Sequence, residues 1–95
     1  MIKNQAEREA AVDDIAAKVA DGLPVPLSVG GSQDQLAHYV LAVAVDDGPP
    51  RSFYIHDPGT GETVVRTEKQ LKSNQMGLPS GWDFLNKYEK PTIAP

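Results

Sequence analysis

The amino-acid sequence predicts an α+β fold: an N-terminal helix packed on an antiparallel sheet of about four strands, with short C-terminal helices. Three observations predict it. Apolar residues near the start of the chain recur every three to four positions, and the middle of the chain alternates β-branched runs with Pro, Gly and Asp turns. The 95 residues suffice for one small core and no more. Residues 1–95 therefore read as a single domain, with a core over about residues 4–90 and a tail at 91–95.

Residues 4–21 read as an amphipathic helix. Val12, Ile15, Val19 and then Leu23 form one stripe, with Ala16 and Ala20 beside it. Asn4 followed by Glu7 is a capping-box pattern, and Gly22 is a C′ stop. Residues 23–29 (LPVPLSV) read as a strand, but two prolines cannot donate to a ladder, which assigns it to an edge or to partial pairing. After a Gly-Gly-Ser loop, residues 37–45 (AHYVLAVAV) are the most apolar run and read as a central strand covered on both faces. Alternation puts Tyr39, Leu41, Val43 and Val45 on one of its faces and Val40, Ala42 and Ala44 on the other. The turn at 46–50 (DDGPP) sends residues 51–57 back antiparallel, and a second turn at 58–61 leads into a strand over 62–66. Thr67 to Gln70 carries a capping-box pattern for a short helix ending near Lys72. Ser80 to Asp83 repeats the device, and Trp82, Leu85 and Tyr88 share one face of a last helix that Pro91 stops.

Composition excludes several functions. Nine Lys and Arg against 13 Asp and Glu leave a net charge of -4, and the basic residues are scattered, so no nucleic-acid footprint exists. The opening MIKNQAEREAAVDD lacks the apolar core of a signal peptide, and no run approaches a membrane span; the compartment stays open. The absence of cysteine removes disulfides, thiolate metal sites and a Cys nucleophile within these residues. No metal is expected, since neither His-x-His nor HExxH spacing occurs. No cofactor is expected either: Gly59-Thr60-Gly61 is too short for a phosphate cradle and does not lead into a helix. Ser28 and Ser32 lack the context of a nucleophile elbow.

Two residues remain as candidates for chemistry. His38 opens one strand and Asp57 closes the next, and a tight hairpin sets adjacent strands about 4.8 Å apart. A carboxylate bonded to one ring nitrogen fixes the tautomer and leaves the other nitrogen free to take a proton from a nucleophile. The same residues also admit plainer readings: His38 as a polar residue at a sheet end, Asp57 as a turn residue before Pro58. His56 alternates with Asp57 and faces away from it, while Trp82 and Tyr88 read as core anchors.

Gly22-Leu23-Pro24-Val25, then His38-Tyr39-Val40-Leu41, then Tyr54-Ile55-His56-Asp57-Pro58-Gly59-Thr60-Gly61 follow a helix in that order. This arrangement, over roughly residues 8–72, resembles the C-terminal half of C39-like cysteine peptidases and amidases of the papain fold. The resemblance implies a papain-like half domain, His38 as general base, Asp57 as its orienting carboxylate, and hydrolysis of peptide or isopeptide bonds. In that family the Cys stands at the start of a helix in the N-terminal half, shortly after a Gln that helps form the oxyanion hole. No such segment precedes the first helix here, and Gln33 and Gln35 lie in the wrong half. Three readings follow: an enzyme half that is inert until a Cys-bearing half completes it, a non-catalytic protein-binding module, and a regulator that mimics half of its target. The implied partners are a protein or peptide and the Cys-bearing half, with no nucleic acid and no membrane. A half-fold leaves apolar sheet surface uncovered, so self-association or partner binding is expected through the face bearing His38.

Overall fold

The computed structural model describes residues 1–90, so the tail read at 91–95 lies outside the described residues. Helix α1 (Gln5–Ala20) begins at an Asn4 cap. Asn4 Oδ1 accepts the Glu7 N–H at 2.9 Å, and Glu7 reaches back to the Lys3 N–H at 3.1 Å, which satisfies donors that a helix start leaves open. The buried stripe of α1 is Arg8, Ala11, Val12, Ile15, Ala16 and Val19. It packs on one face of a five-stranded antiparallel sheet made of β1 (Val25–Gly30), β2 (His38–Asp46), β3 (Ser52–Asp57), β4 (Glu62–Thr67) and β5 (Phe84–Tyr88), in the order β4-β3-β2-β1-β5. A short α2 (Glu68–Lys72) follows β4 through a complete Thr67–Gln70 capping box, and a single 3-10 turn (Pro79–Gly81) precedes β5. The expected α+β architecture is present, with one strand more and one helix fewer.

The extra strand comes from the segment read as a last helix. Trp82, Leu85 and Tyr88 are spaced for a helix face, but residues 84–88 pair with β1 instead. An interior strand needs hydrogen-bond partners on both sides, and that demand overrides local spacing. β1 is thereby interior, not at an edge. Its proline is tolerated because in an antiparallel ladder the N–H and C=O of one residue point to the same neighbour. The Pro26 carbonyl accepts the Glu89 N–H at 2.9 Å, just past the end of β5, so the missing donor falls where that ladder is already ending.

β2 is central in the sheet but covered on one face only. Val40 and Ala42 are buried toward α1, whereas Tyr39 and Val43 are exposed. A β-bulge at Val43 also changes the alternation: Ala42 pairs with Ile55 and Ala44 with Tyr54, leaving Val43 unpaired between them. Val45 therefore reaches the core side opposite the buried Phe53, and Ala44 takes the open side, the reverse of strict alternation. The core forms between α1 and the sheet, from Val12 and Ile15 of the helix against Val25, Leu27, Val40, Phe53, Ile55 and Leu85, closed at the side by Leu71 and Met76.

Neighbouring residues of β3 should report the two faces directly. Phe53→Ala is expected to cost about 3–5 kcal/mol of unfolding free energy and Tyr54→Ala under about 1 kcal/mol, read from urea denaturation with matched m-values. Equal losses would contradict the one-sided core.

Candidate functional site

The register of the β2–β3 hairpin builds the site. Leu41 pairs with His56, so Val40 comes opposite Asp57 and His38 stands one diagonal step beyond it. His38, Val40 and Asp57 share the α1 side of the sheet. The expected meeting occurs: His38 Nε2 lies 2.7 Å from Asp57 Oδ1. The Asp57 side chain is 4% exposed and that of His38 25%. The same carboxylate oxygen accepts the Gly59 N–H at 2.8 Å, and the Asp57 carbonyl accepts the Gly61 N–H at 2.8 Å, so the Asp-Pro-Gly-Thr-Gly turn folds around the acid. Gly59 is closely approached: a Cβ there would stand 3.1 Å from both Asp57 Oδ1 and His38 Cε1, so these side chains would have to give by a few tenths of an ångström.

The Asp57 carboxyl is held below the usual carboxylate range. Burial works to raise it, but the hydrogen bonds from His38 and from the Gly59 and Thr60 N–H groups outweigh burial. An ionised carboxylate only accepts, so Nε2 of His38 must carry a hydrogen, and the lone pair of the neutral ring sits on Nδ1. Among the described residues Nδ1 has no hydrogen-bond partner. The Trp82 indole stacks on the imidazole, with centroids 5.8 Å apart and planes inclined by 24°. His38, Asp57, Gly59, Thr60, Pro79 and Trp82 enclose an open cavity of about 250 Å³. It has room for one or two side chains, and imidazole is its basic group.

Trp82 and Gly59 are the site residues that sequence reasoning missed. Trp82 was assigned to a helix face as a core anchor; it instead packs partly on the core and partly on His38. Its position is set by the turn before β5, where Leu78 N–H donates to the Trp82 carbonyl and Gly77 N–H to Asp83 Oδ1. The lone Trp between Gly81 and Asp83, after Pro79, was the available signal. His56 faces the opposite side, as expected, with Nδ1 3.1 Å from Thr63 Oγ1. Gln33 donates to the Lys3 carbonyl and does not approach His38 by hydrogen bonding.

A larger groove of about 680 Å³ runs between α1 and β5, lined in part by Ile2, Ala11, Asp14 and Tyr88, and it shares no residue with the His38 cavity. Within it Tyr88 donates to Asp14 at 2.7 Å, which with burial pushes the Tyr88 hydroxyl up to about 12, and Lys18 pairs with Asp14. Among the described residues no group of three or more His, Asp or Glu is placed to hold a metal ion, and no helix is long and apolar enough to cross a membrane.

Comparison of the chain with protein-family models, with curated proteins and with solved structures finds no match.

The Asp57 contacts make stability depend on pH in a defined direction. A carboxyl with a lowered folded-state pKa contributes stability that is present above its unfolded value, about 3.9, and is lost as pH falls through the folded value. Asp57→Asn is expected to be less stable than the parent at pH 7, with the gap closing below about pH 4, read from urea midpoints. Parallel curves from neutral to acid pH would show that the carboxylate charge contributes nothing there.

Proposed function

We propose that this chain is the His/Asp half of a C39-like, papain-fold thiol peptidase or amidase, in which His38 is the base and Asp57 orients it. The observation that carries the reading is the buried Asp57 carboxylate fixed at 2.7 Å on Nε2, leaving the Nδ1 lone pair directed away from the acid. A thiol set against Nδ1 loses its proton to the imidazole, and the resulting imidazolium is stabilised by Asp57. The thiolate then attacks the substrate carbonyl, and the imidazolium returns the proton to the leaving amine. With no cysteine in its 95 residues, the chain performs none of these steps unless a thiol comes from another segment or another chain.

A second reading keeps the fold without the chemistry, as a protein-binding module. It is favoured by the lining of the cavity, where Thr60 supplies a hydroxyl that no hydrogen bond joins to His38 and no thiol is present.

The cysteine-free background makes the proposal readable. Thr60→Cys and Pro79→Cys place a single thiol on either side of the cavity. In at least one variant the thiol is expected to react with iodoacetamide as if its pKa lay well below about 8.5, and to regain an ordinary profile when His38→Ala is added. Alkylation profiles that ignore His38 in both variants would refute a thiol-activating role and leave the binding module.

A further inference from the structure

The uncovered apolar face expected around His38 is not there. On its side of the sheet α1 covers the core, and the exposed apolar residues Tyr39, Tyr54 and Val65 stand on the other side. His38 itself stands at the end of the sheet, partly exposed, and its own strand fixes little of the ring. The backbone of His38 pairs with Val29 in the ladder, which places Cα and Cβ. Rotation about χ2 of a histidine is broad and two-fold, so the plane of the imidazole is not set by the backbone. The hydrogen bond from Nε2 to Asp57 holds one corner of the ring and leaves the plane free to pivot about it. Half a turn about χ2 would put Cε1 in place of Nε2 and Cδ2 in place of Nδ1. That flip would break the bond to Asp57 and carry the free nitrogen away from its present position.

We infer that Trp82 is a positioning residue, holding the His38 ring in the one orientation that presents Nε2 to Asp57 and leaves Nδ1 free. The indole lies over the imidazole with centroids 5.8 Å apart and planes inclined by 24°, a stack that a tilt or pivot of the ring would break. Gly59 comes up beside the same ring, where a Cβ would stand 3.1 Å from Cε1 and 3.5 Å from Nε2. Which ring places the other follows from what holds each. The Trp82 carbonyl accepts the Leu78 N–H at 3.3 Å, Gly81 N–H donates to the Leu78 carbonyl at 3.1 Å, and Met76 N–H donates to the Asp83 carbonyl at 3.3 Å. The residues around Trp82 are thereby tied to Met76 and Leu78, which are buried in the core, and the indole packs against that core as well. The imidazole has a single hydrogen bond. The indole is therefore the fixed member and the imidazole the one that is placed. The placement is a property of this chain alone; its use in catalysis rests on the reading of His38 as a base.

Water exchange of the His38 Nε2–H, followed by NMR of the full chain, tests this, with His56→Gln in the background so that one imidazole remains. Trp82→Phe keeps an aromatic face and is expected to exchange this proton at the parent's rate. Trp82→Leu keeps bulk against the core but removes that face. Its Nε2–H is expected to exchange about two- to tenfold faster, the factor that an aromatic pair supplies, while the backbone amides of β2 exchange as in the Phe variant. Equal Nε2–H rates in the Leu and Phe variants, or an acceleration that the β2 amides share, would overturn the inference. Should neither variant fold, the unmodified chain decides: cross-relaxation between the His38 ring protons and the indole of Trp82 is expected, and its absence would overturn the placement. Alkylation profiles that ignore His38 would remove the base reading without altering these exchange rates, so the two failures are told apart.

Discussion

A carboxylate buried in the end of a sheet is costly unless each of its demands is met, and Asp57 is the group around which the local structure is arranged. Its Oδ1 takes two donors, the Gly59 N–H from its own turn and Nε2–H from the neighbouring strand. The first requires the Asp-Pro-Gly turn that brings the Gly59 N–H back onto the acid. The second requires that β2 and β3 keep the register in which Val40 faces Asp57. A slip of one residue would turn His38 to the open face and leave the carboxylate with backbone partners alone. The bulge at Val43 is compatible with this because it absorbs one residue of β2 and leaves the pairing from Leu41 onward toward the site intact. It lets β2 place Val40 and Ala42 beside the site and Val45 beside Phe53, all on the buried side.

The far end of the sheet is fixed by a different device. Arg51, at the start of β3, donates to Asp13 of α1 at 2.6 Å and to Glu68 of α2 at 2.7 Å, and Lys72 pairs with Glu68 at 2.6 Å. Asp13 and Glu68 are both held below the usual carboxylate range, first of all by their hydrogen bonds to Arg51 and to Lys72 respectively. These groups are partly exposed, so each pair contributes modestly, but one cation bridging two helices sets their placement on the sheet. Arg8 does the equivalent across the helix, donating from its buried position to the Leu85 carbonyl of β5. That bond, with Ile2 N–H on the Asn86 carbonyl at 2.8 Å, anchors β5 to the start of α1. The turn that carries Trp82 is attached to β5. The indole over His38 therefore depends on contacts made well outside the cavity.

What the sequence disclosed divides along physical lines. Local signals were legible: the Asn4 cap, the Thr67–Gln70 box and the turns at 46–50 and 58–61 act within a few residues, and each is where the pattern put it. The meeting of His38 with Asp57 was legible because a short hairpin leaves little freedom in which ends come together. Long-range pairing was not. Residues 84–88 become a strand only because β1, more than fifty positions earlier, presents an unpaired side, and no local pattern records that need. The same strand then contradicts the edge assignment that Pro24 and Pro26 suggested. The reading of β2 as covered on both faces failed for a related reason. β-branched residues suit an open sheet face as well as a buried one, so apolarity alone does not tell how many layers lie above a strand.

Two faces of one sheet thus carry two different surfaces, and their separation follows from residue parity. Residues in step with Val40 and Ile55 point toward α1 and, where the helix no longer covers them, end in His38 and Asp57. Residues in step with Tyr39 and Tyr54 point away, and Tyr39, Tyr54 and Val65 among them are exposed. A base needs a partly enclosed corner to direct its lone pair, and here the Gly59–Thr60 turn, Pro79 and Trp82 converge to form one beyond the core. On the reading that His38 serves a thiol, the incoming segment must enter between the Gly59–Thr60 turn and Pro79. Those residues bound the cavity on its two sides, and neither belongs to the open face.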